Sequence, residues 1–398
     1  MRKRDCVAMR VRRAPAVAAG SALLAIGLAA CSGRPGPTAT DGPAPLSVPS
    51  VTSISASDGS WVVLPMGHLD QPLNTFWQLF FRPATSQSWS NHVEATGAAS
   101  NGGLALATEG DSVLVGVRPS NHLTYSPLIV TTDSGASWSN GLLTSGLAPF
   151  PDTLALGPAG QALALVESRS GEELLSTDGS LSDWTTVATT SSLESASRRT
   201  CDPSSMTAVA YLGASPVIGA NCTRHGEAGI FAGEAAGYEL SGPPMPAEVA
   251  NASVQVLGIW PSSSGLVALL GAATSSRTEL FACWEGAAGS WTVSGPLALE
   301  MSDQIESFGH AEPGGIFVLM KGSSGPQRAM LVDGPGSAWD ELPAPPAKTA
   351  TLAFGGGGIA QALVVTDTLL RVWTLGSGSS SWQQTQMINV PIQFGTSG

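Results

Sequence analysis

Charge is scarce in this chain, and positive charge scarcer still. Only 12% of its 398 residues are charged, with 18 Lys and Arg against 30 Asp and Glu, for a formal net charge of −12. A surface of that sign repels phosphate backbones, so nucleic acid is excluded as an expected partner. Histidine is limited to His68, His92, His122, His225 and His310, which are scattered without metal spacing. No two of the five cysteines have zinc spacing either, so no metal and no cofactor are expected. The glycine run at positions 355–358 lies between two strand-like stretches rather than before a helix, so it is no phosphate cradle. No segment sustains an apolar period of 3.6 residues, which argues against a helical body.

The first thirty residues read as a targeting segment. Arg2, Lys3, Arg4, Arg10, Arg12 and Arg13 form a basic start, and an Ala/Leu-rich stretch follows from Ala14 to Ala30. That stretch is shorter than the roughly 20 apolar residues a membrane span needs. With six basic residues and one acidic, the leader carries +5, which leaves −17 for the remainder. The segment ends in Leu28-Ala29-Ala30-Cys31, which resembles the lipobox of bacterial lipoproteins. The resemblance implies cleavage before Cys31 and attachment of a diacylglycerol to its sulfur. Residues 31–50 are dense in Pro, Gly, Ser and Thr and read as a flexible tether. The expected organisation is a signal peptide at 1–30, a lipidated tether at 31–50 and a folded body at 51–398. The expected location is the outer face of the cytoplasmic membrane, with the lipid as the only membrane contact.

Cys201, Cys222 and Cys283 remain in the body, in an oxidising compartment. A disulfide between Cys201 and Cys222 is expected, because both fall in one repeat. Pairing either with Cys283 would instead staple adjacent repeats. Cys283 is otherwise expected as a buried thiol on a strand.

What the body has in quantity is a recurring tryptophan. Trp89, Trp138, Trp184, Trp291, Trp339 and Trp382 each close a Gly/Ser-rich turn, and Tyr238 takes the one vacant slot. A recurring unit of roughly 40 to 50 residues marks a repeat architecture. Between these turns lie short β-branched or aromatic runs bounded by Gly, Ser and Pro, the pattern of consecutive antiparallel strands. The same four-run pattern fits residues 51–97, 98–149, 150–196, 200–247, 251–298, 303–346 and 350–390. The expected fold is all-β: a seven-bladed propeller of four-stranded antiparallel sheets, with six or eight blades as the alternatives. The tail Ile388 to Phe394 reads as a spare strand that pairs near residues 46–51 to close the ring.

One turn carries more. Thr131-Thr132-Asp133-Ser134-Gly135-Ala136-Ser137-Trp138 resembles the Asp-box, or BNR repeat, of sialidase-like propellers, matching Thr131, Asp133, Gly135 and Trp138 of that pattern. The aspartate is expected to accept N–H groups of its own turn, the glycine to supply a positive φ, and the tryptophan to pack between sheets. The resemblance implies a structural role for these residues, away from any central site.

It also raises the possibility of a glycosidase, which the residues argue against. Sialidase-like enzymes use three arginines on the substrate carboxylate, a tyrosine nucleophile paired with glutamate, and an aspartate acid/base. Here Phe81-Arg82-Pro83 falls one residue short of the family's Phe/Tyr-Arg-Ile/Leu-Pro signature. The three tyrosines, Tyr125, Tyr211 and Tyr238, all precede the last third of the chain. A two-carboxylate mechanism would draw on acids such as Asp70, Asp111, Glu167, Glu300, Asp303 or Glu306. The expected function is therefore non-catalytic: a monomeric binding or scaffold module for an envelope protein or glycan. The alternatives are a glycoside hydrolase and an assembly factor for a membrane complex. A glycan binder is expected to expose Trp61, Trp77 or Trp373 on a loop-lined face.

Overall fold

The computed structural model describes residues 52–390 apart from 57, 68–74, 93–103, 118–127, 142–150, 169–170, 180, 198–199, 235–236, 287–288, 312–313 and 356–357. Cys31, Asp70, His68, His122 and Tyr125, and the proposed ring-closing residues 46–51 and 391–394, lie outside the described residues.

The described chain forms 29 strands in seven antiparallel sheets. Each sheet is built from consecutive strands, so the fold is a seven-bladed β-propeller. The inner strands are β1 (Thr52–Ala56), β5 (Leu104–Glu109), β9 (Pro151–Leu156), β13 (Pro203–Leu212), β17 (Ser253–Ser262), β22 (Gln304–Ala311) and β26 (Thr349–Gly355). Blade 5 departs from four strands. Its outer position is shared by β20 (Trp291–Val293) and β21 (Leu297–Leu299), both paired with β19 (Thr278–Glu285). One short helix, α1 (Thr190–Ala196), was not legible in the apolar pattern. Thr189 and Ser192 cap its first turn reciprocally, and Leu193 is its one buried side chain. No helix among the described residues is long and apolar enough to cross a membrane.

The packing explains why the pattern repeats. A sheet inside a ring has both faces covered, so its central strands are apolar on both sides. β18 (Gly265–Ala273) is buried at every position after Gly265, and β27 (Ile359–Thr366) at six consecutive positions. The apolar core separates into seven clusters, each joining two successive blades. Every cluster includes the turn aromatic of its later blade: Trp138 for blades 1 and 2, Trp184 for 2 and 3, Tyr238 for 3 and 4. Trp291, Trp339, Trp382 and Trp89 complete the series. In three seams the indole N–H also reaches a backbone carbonyl just past the outer strand of the preceding blade. Trp291 donates to Ser241 at 2.7 Å, Trp339 to Gly295 at 3.2 Å and Trp382 to Pro343 at 2.9 Å.

The expected closing pair, the tail from Ile388 with residues 46–51, falls mostly outside the described residues. Blade 1 and blade 7 each hold four strands of their own, and Ile388 belongs to β29 (Gln383–Asn389), the outer strand of blade 7. The seam between them carries a main-chain bond, from the Gly67 N–H to the Asp367 carbonyl at 2.7 Å, and a set of side-chain bonds. Arg82 is 3% exposed and spans it, donating to Ser60 Oγ, Gln361 Oε1 and the carbonyl of Phe354, each at 2.7 Å. Trp89 Nε1 donates to the same Gln361 Oε1 at 2.9 Å, and the Gln386 amide brackets the Trp89 backbone, accepting from N and donating to O. The guanidinium also lies 5.4 Å from the Trp89 ring centroid. Among the described residues no carboxylate pairs with Arg82, and burial holds its pKa below the ordinary value.

Removing a buried donor strands its acceptors, which costs more than the bonds contribute net. Arg82→Ala is therefore expected to lower stability by about 3 to 5 kcal/mol, and Arg82→Met, which keeps the volume, by less. Urea unfolding of the two variants checks this; a loss under about 0.5 kcal/mol for Arg82→Ala would remove the latch role.

Candidate functional site

Strands alternate in direction, so the starts of the inner strands cluster at one end of the ring. The turns between first and second strands, and between third and fourth, lie at the other. The first end carries a recurring irregularity. In blades 3 to 7 the pairing of the first two strands skips a residue in the first half of the inner strand, namely Asp152, Thr207, Leu257, Glu306 and Ala350, and blade 4 also skips Ser204. Such bulges re-aim a side chain and recur beside functional sites. Together they form a mouth whose equivalent positions are acidic in blades 3 and 6. Sequence reasoning named Glu306 but missed Asp152 and the shared position, because a bulge leaves no compositional mark.

The acids at this mouth are largely engaged. Glu306 accepts from Gln327 Nε2, and the same amide exchanges bonds with the backbone of Thr349 in blade 7. Asp303, its side chain 2% exposed, pairs with Arg328 at 2.8 Å and caps its own turn through the Glu300 N–H. In blade 3, Glu172 accepts from the Met206 N–H of blade 4. Burial raises the pKa of Glu172, opposed by that bond and reinforced by the nearby charges of Asp152 and Glu167. Glu167 and Glu300 are exposed. Asp111 is exposed at the opposite end, where its carbonyl accepts from Ser134.

Below the mouth, hydroxyls tie the inner strands together. Thr207 Oγ1 donates to Val256 O at 2.7 Å, Ser307 and Thr351 share a 2.5 Å bond, and Ser53 Oγ donates to Leu352 O at 3.1 Å. Near the far end of β22, His310 stacks under Trp260, with ring centroids 6.4 Å apart, and Phe308 meets the same indole edge-on at 6.2 Å. Gly258 permits this arrangement, because a Cβ there would meet Trp260 Cη2 at 2.5 Å. Burial lowers the His310 pKa to about 4.

The turn at Thr131–Trp138 sits at the end away from the mouth. Asp133 accepts from Ser137 Oγ at 2.6 Å, from Thr131 Oγ1 at 2.7 Å and from the Ser137 N–H at 2.8 Å. The Ser137 hydroxyl, then the Thr131 hydroxyl, then the Ser137 N–H hold its pKa down to about 2. Gly135 has φ +85°, and a Cβ there would press on His92 and Trp61 of blade 1 at 2.9 Å. Trp138 meets Trp61 edge-on at 6.1 Å. All four residues are thus engaged in the turn and its seam. Cys201 and Cys222 form a disulfide with Cα atoms 4.8 Å apart, joining the start of β13 to the end of β14 (Ser215–Cys222). Cys283 is buried and unpaired, and burial raises its pKa strongly.

Other sequence candidates are dispersed. Trp61 and Trp77 are buried and Trp373 is half-buried in the seam of blades 6 and 7, so none forms an exposed platform. They are interleaved with the core because each lies on a strand whose two faces are both covered. Among the described residues no Trp, Tyr or Phe is exposed. Tyr211 is buried and Tyr238 half-buried in the seam of blades 3 and 4. The described arginines do not converge: Arg82 is in a seam, Arg224 is exposed, Arg328 is on Asp303, Arg277 is on Glu279 at 3.4 Å, and Arg371 is on Thr366. His225 is exposed, and His92 packs against Trp61 and Phe81. Among the described residues no cluster of His, Cys, Asp and Glu could hold a metal.

No family model and no curated protein matches the chain. Solved propellers do. A puromycin hydrolase is 13% identical, with TM-score 0.49, over 85% of this chain and 53% of its own. A protein from Lactobacillus plantarum is 10% identical, with TM-score 0.48, over 83% and 97%. YCF48 bound to D1 peptide is 13% identical, with TM-score 0.42, over 88% and 100%. Likeness at this level carries no argument about this chain, whose fold rests on its own strand order.

The depressed His310 pKa has a consequence for stability. Its ordinary value is 6.5 and its folded value about 4, so below pH 6.5 the unfolded chain binds the extra proton. The neutral ring's contribution is whole above pH 6.5 and is lost as pH falls towards 4, by up to about 3 kcal/mol. Urea midpoints measured from pH 7 to pH 4 are expected to fall less steeply for His310→Phe than for the wild type. Parallel curves would rule the histidine out as the source.

Proposed function

We propose that the chain is a lipid-anchored, exported propeller that acts as a non-catalytic binding or scaffold module of the bacterial envelope. The observation that carries the non-catalytic reading is the use already made of the acids at the mouth. Glu306 is held by Gln327 and Asp303 by Arg328, where a glycosidase needs two carboxylates free to exchange protons or attack. The scatter of the arginines among the described residues and the lack of a late tyrosine weigh against sialidase chemistry in particular. A protein partner is favoured over a glycan, because a sugar-binding face uses exposed aromatic rings and none is exposed among the described residues. The lipid anchor rests on the lipobox-like Leu28-Ala29-Ala30-Cys31, and the turn at Thr131–Trp138 supports a place among Asp-box propellers. A role in assembling a membrane complex is a narrower form of the same reading.

The second reading, a glycoside hydrolase, draws on Asp152 and Glu306 sharing one structural position in blades 3 and 6. A panel of fluorogenic glycosides, sialosides included, separates the two. No turnover by the folded chain is expected; turnover lost in both Asp152→Asn and Glu306→Gln would make this an enzyme. For the anchor, Cys31→Ala expressed in a bacterial host is expected to move the protein from the membrane fraction to the soluble one. Membrane retention of that variant would show that something other than a lipid on Cys31 holds it there.

A further inference from the structure

Lysine is rare in this chain. Lys3 is among the first thirty residues, and beyond it there are only Lys321 and Lys348. The fold brings those two to one place. Lys321 ends β23 (Gly315–Lys321), the second strand of blade 6, and Lys348 immediately precedes β26, the inner strand of blade 7. Second strands end at the mouth and inner strands begin there. Both lysines therefore stand at its rim, one on each side of the seam between blades 6 and 7. A buried amide links their positions. Gln327, the first residue of β24 (Gln327–Val332), lies directly across the sheet from Lys321. Its side chain clasps Thr349, accepting from N at 2.9 Å and donating to O at 2.7 Å. Lys321 shares that sheet face, because cross-strand partners point the same way. Both lysines are exposed, and among the described residues neither ammonium meets a carboxylate.

Lys348 is also held in a conformation that lysine disfavours. Its φ is +65°, at the third position of the turn 346–349. Thr349 closes that turn, donating to the Pro346 carbonyl from Oγ1 at 2.7 Å and from N at 3.3 Å. Glycine or asparagine is the usual residue at such a place. Any other L residue strains the backbone there, and a lysine side chain has no short polar group to offset it. Strain of this kind persists where the surroundings enforce it, and it gathers at ligand-binding sites. Here the Gln327 clasp and the Thr349 hydroxyl enforce it, so the Lys348 stem leaves a rigid turn.

We propose that Lys321 and Lys348 form a binding site for an acidic segment of a partner protein, taken by its side-chain carboxylates. This rests on the binding-module reading and names where and what the module binds. Charge complementarity sets the occupant. In a chain with a net charge of −12, two ammonium groups without partners flank one seam. Glu306 accepts from the same Gln327 amide, which leaves one positive charge in excess at this spot. That balance suits a singly charged carboxylate better than a phosphate dianion. Each ammonium carries three rotatable donors, so two of them can close on a carboxylate without a fixed angle.

Isotope labelling of lysine nitrogen alone, in the whole chain, gives separate magnetic-resonance signals for the Lys321 and Lys348 amides. The probe is acetyl-tetraglutamate-amide, with the tetraglutamine peptide as its neutral counterpart. Both signals are expected to move on one saturation curve with the glutamate peptide and to stay still with the glutamine one. Lys321→Gln and Lys348→Gln are each expected to weaken binding about tenfold, read at the remaining lysine. Glu306→Gln is expected to tighten it. Lys348→Gly is expected to weaken binding as much while raising the melting temperature, because glycine relieves the turn. A lower melting temperature for that variant would mean that the lysine serves the fold. That result would overturn the proposal, as would no shift up to about 10 mM peptide or equal shifts with the glutamine peptide. Undiminished binding by both Gln variants, or tighter binding of inorganic phosphate than of tetraglutamate, would overturn it too. Glycoside turnover by the wild type would sink the binding-module reading without altering the titration, so the two failures are distinguishable.

Discussion

A sheet with two apolar faces has nowhere to stand alone, and that constraint shapes the whole molecule. Each blade is covered only by the blade before and the blade after, so seven seams must be filled together. The last seam is the demanding one, because nothing covalent joins blade 7 to blade 1. Among the described residues it is held by one main-chain bridge, Gly67 to Asp367, and by a buried guanidinium with two glutamine amides. Arg82 suits the place because its fork can reach Ser60 in its own blade and Gln361 and Phe354 in the other at once. The cation–π contact with Trp89 offsets part of the cost of burying a charge without a carboxylate.

The same constraint separates the two ends of the ring. At the turn end, each aromatic must fill its seam, so turn residues are committed to packing. The Thr131–Trp138 turn shows this: its aspartate serves the turn, its glycine admits His92 and Trp61, and its tryptophan lies on blade 1. At the mouth, the inner strands are free to bulge, and five blades bulge at the same position. Side chains there vary from Asp to Thr, Leu, Glu and Ala, with Leu257 and Ala350 turned to the core and Asp152 exposed.

Much of this was legible in the sequence. Tryptophan spacing, Gly/Ser turns and strand-length apolar runs gave the blade count and the limits of each repeat, because those signals are local. The bulges were not legible, since a skipped residue changes pairing and leaves composition alone. Arg82 was noted only as part of an incomplete signature; its role depends on Gln361, far along the chain, and no local pattern carries that. The choice left open for Trp61 and Trp77, exposed platform or core, has the same root. Tryptophan on a strand is ambiguous until both faces are known to be covered, and here they are. Helix α1 escaped because its seven residues bury one leucine, and its capping pair of Thr189 and Ser192 lacks the acidic residue that marks a stronger box.

A ring with equivalent seams has no reason to bind anything at one of them rather than another. Specificity then comes from where the equivalence breaks. Charge breaks it at the mouth, where two of five bulge positions are acidic, but those groups are already bonded or crowded by like charge. Shape breaks it between blades 3 and 4, where a helix replaces the usual acceptor strand end and tyrosine replaces tryptophan. Leu193 of that helix packs in the seam beside Tyr238, so packing fills there what an indole N–H ties in three other seams.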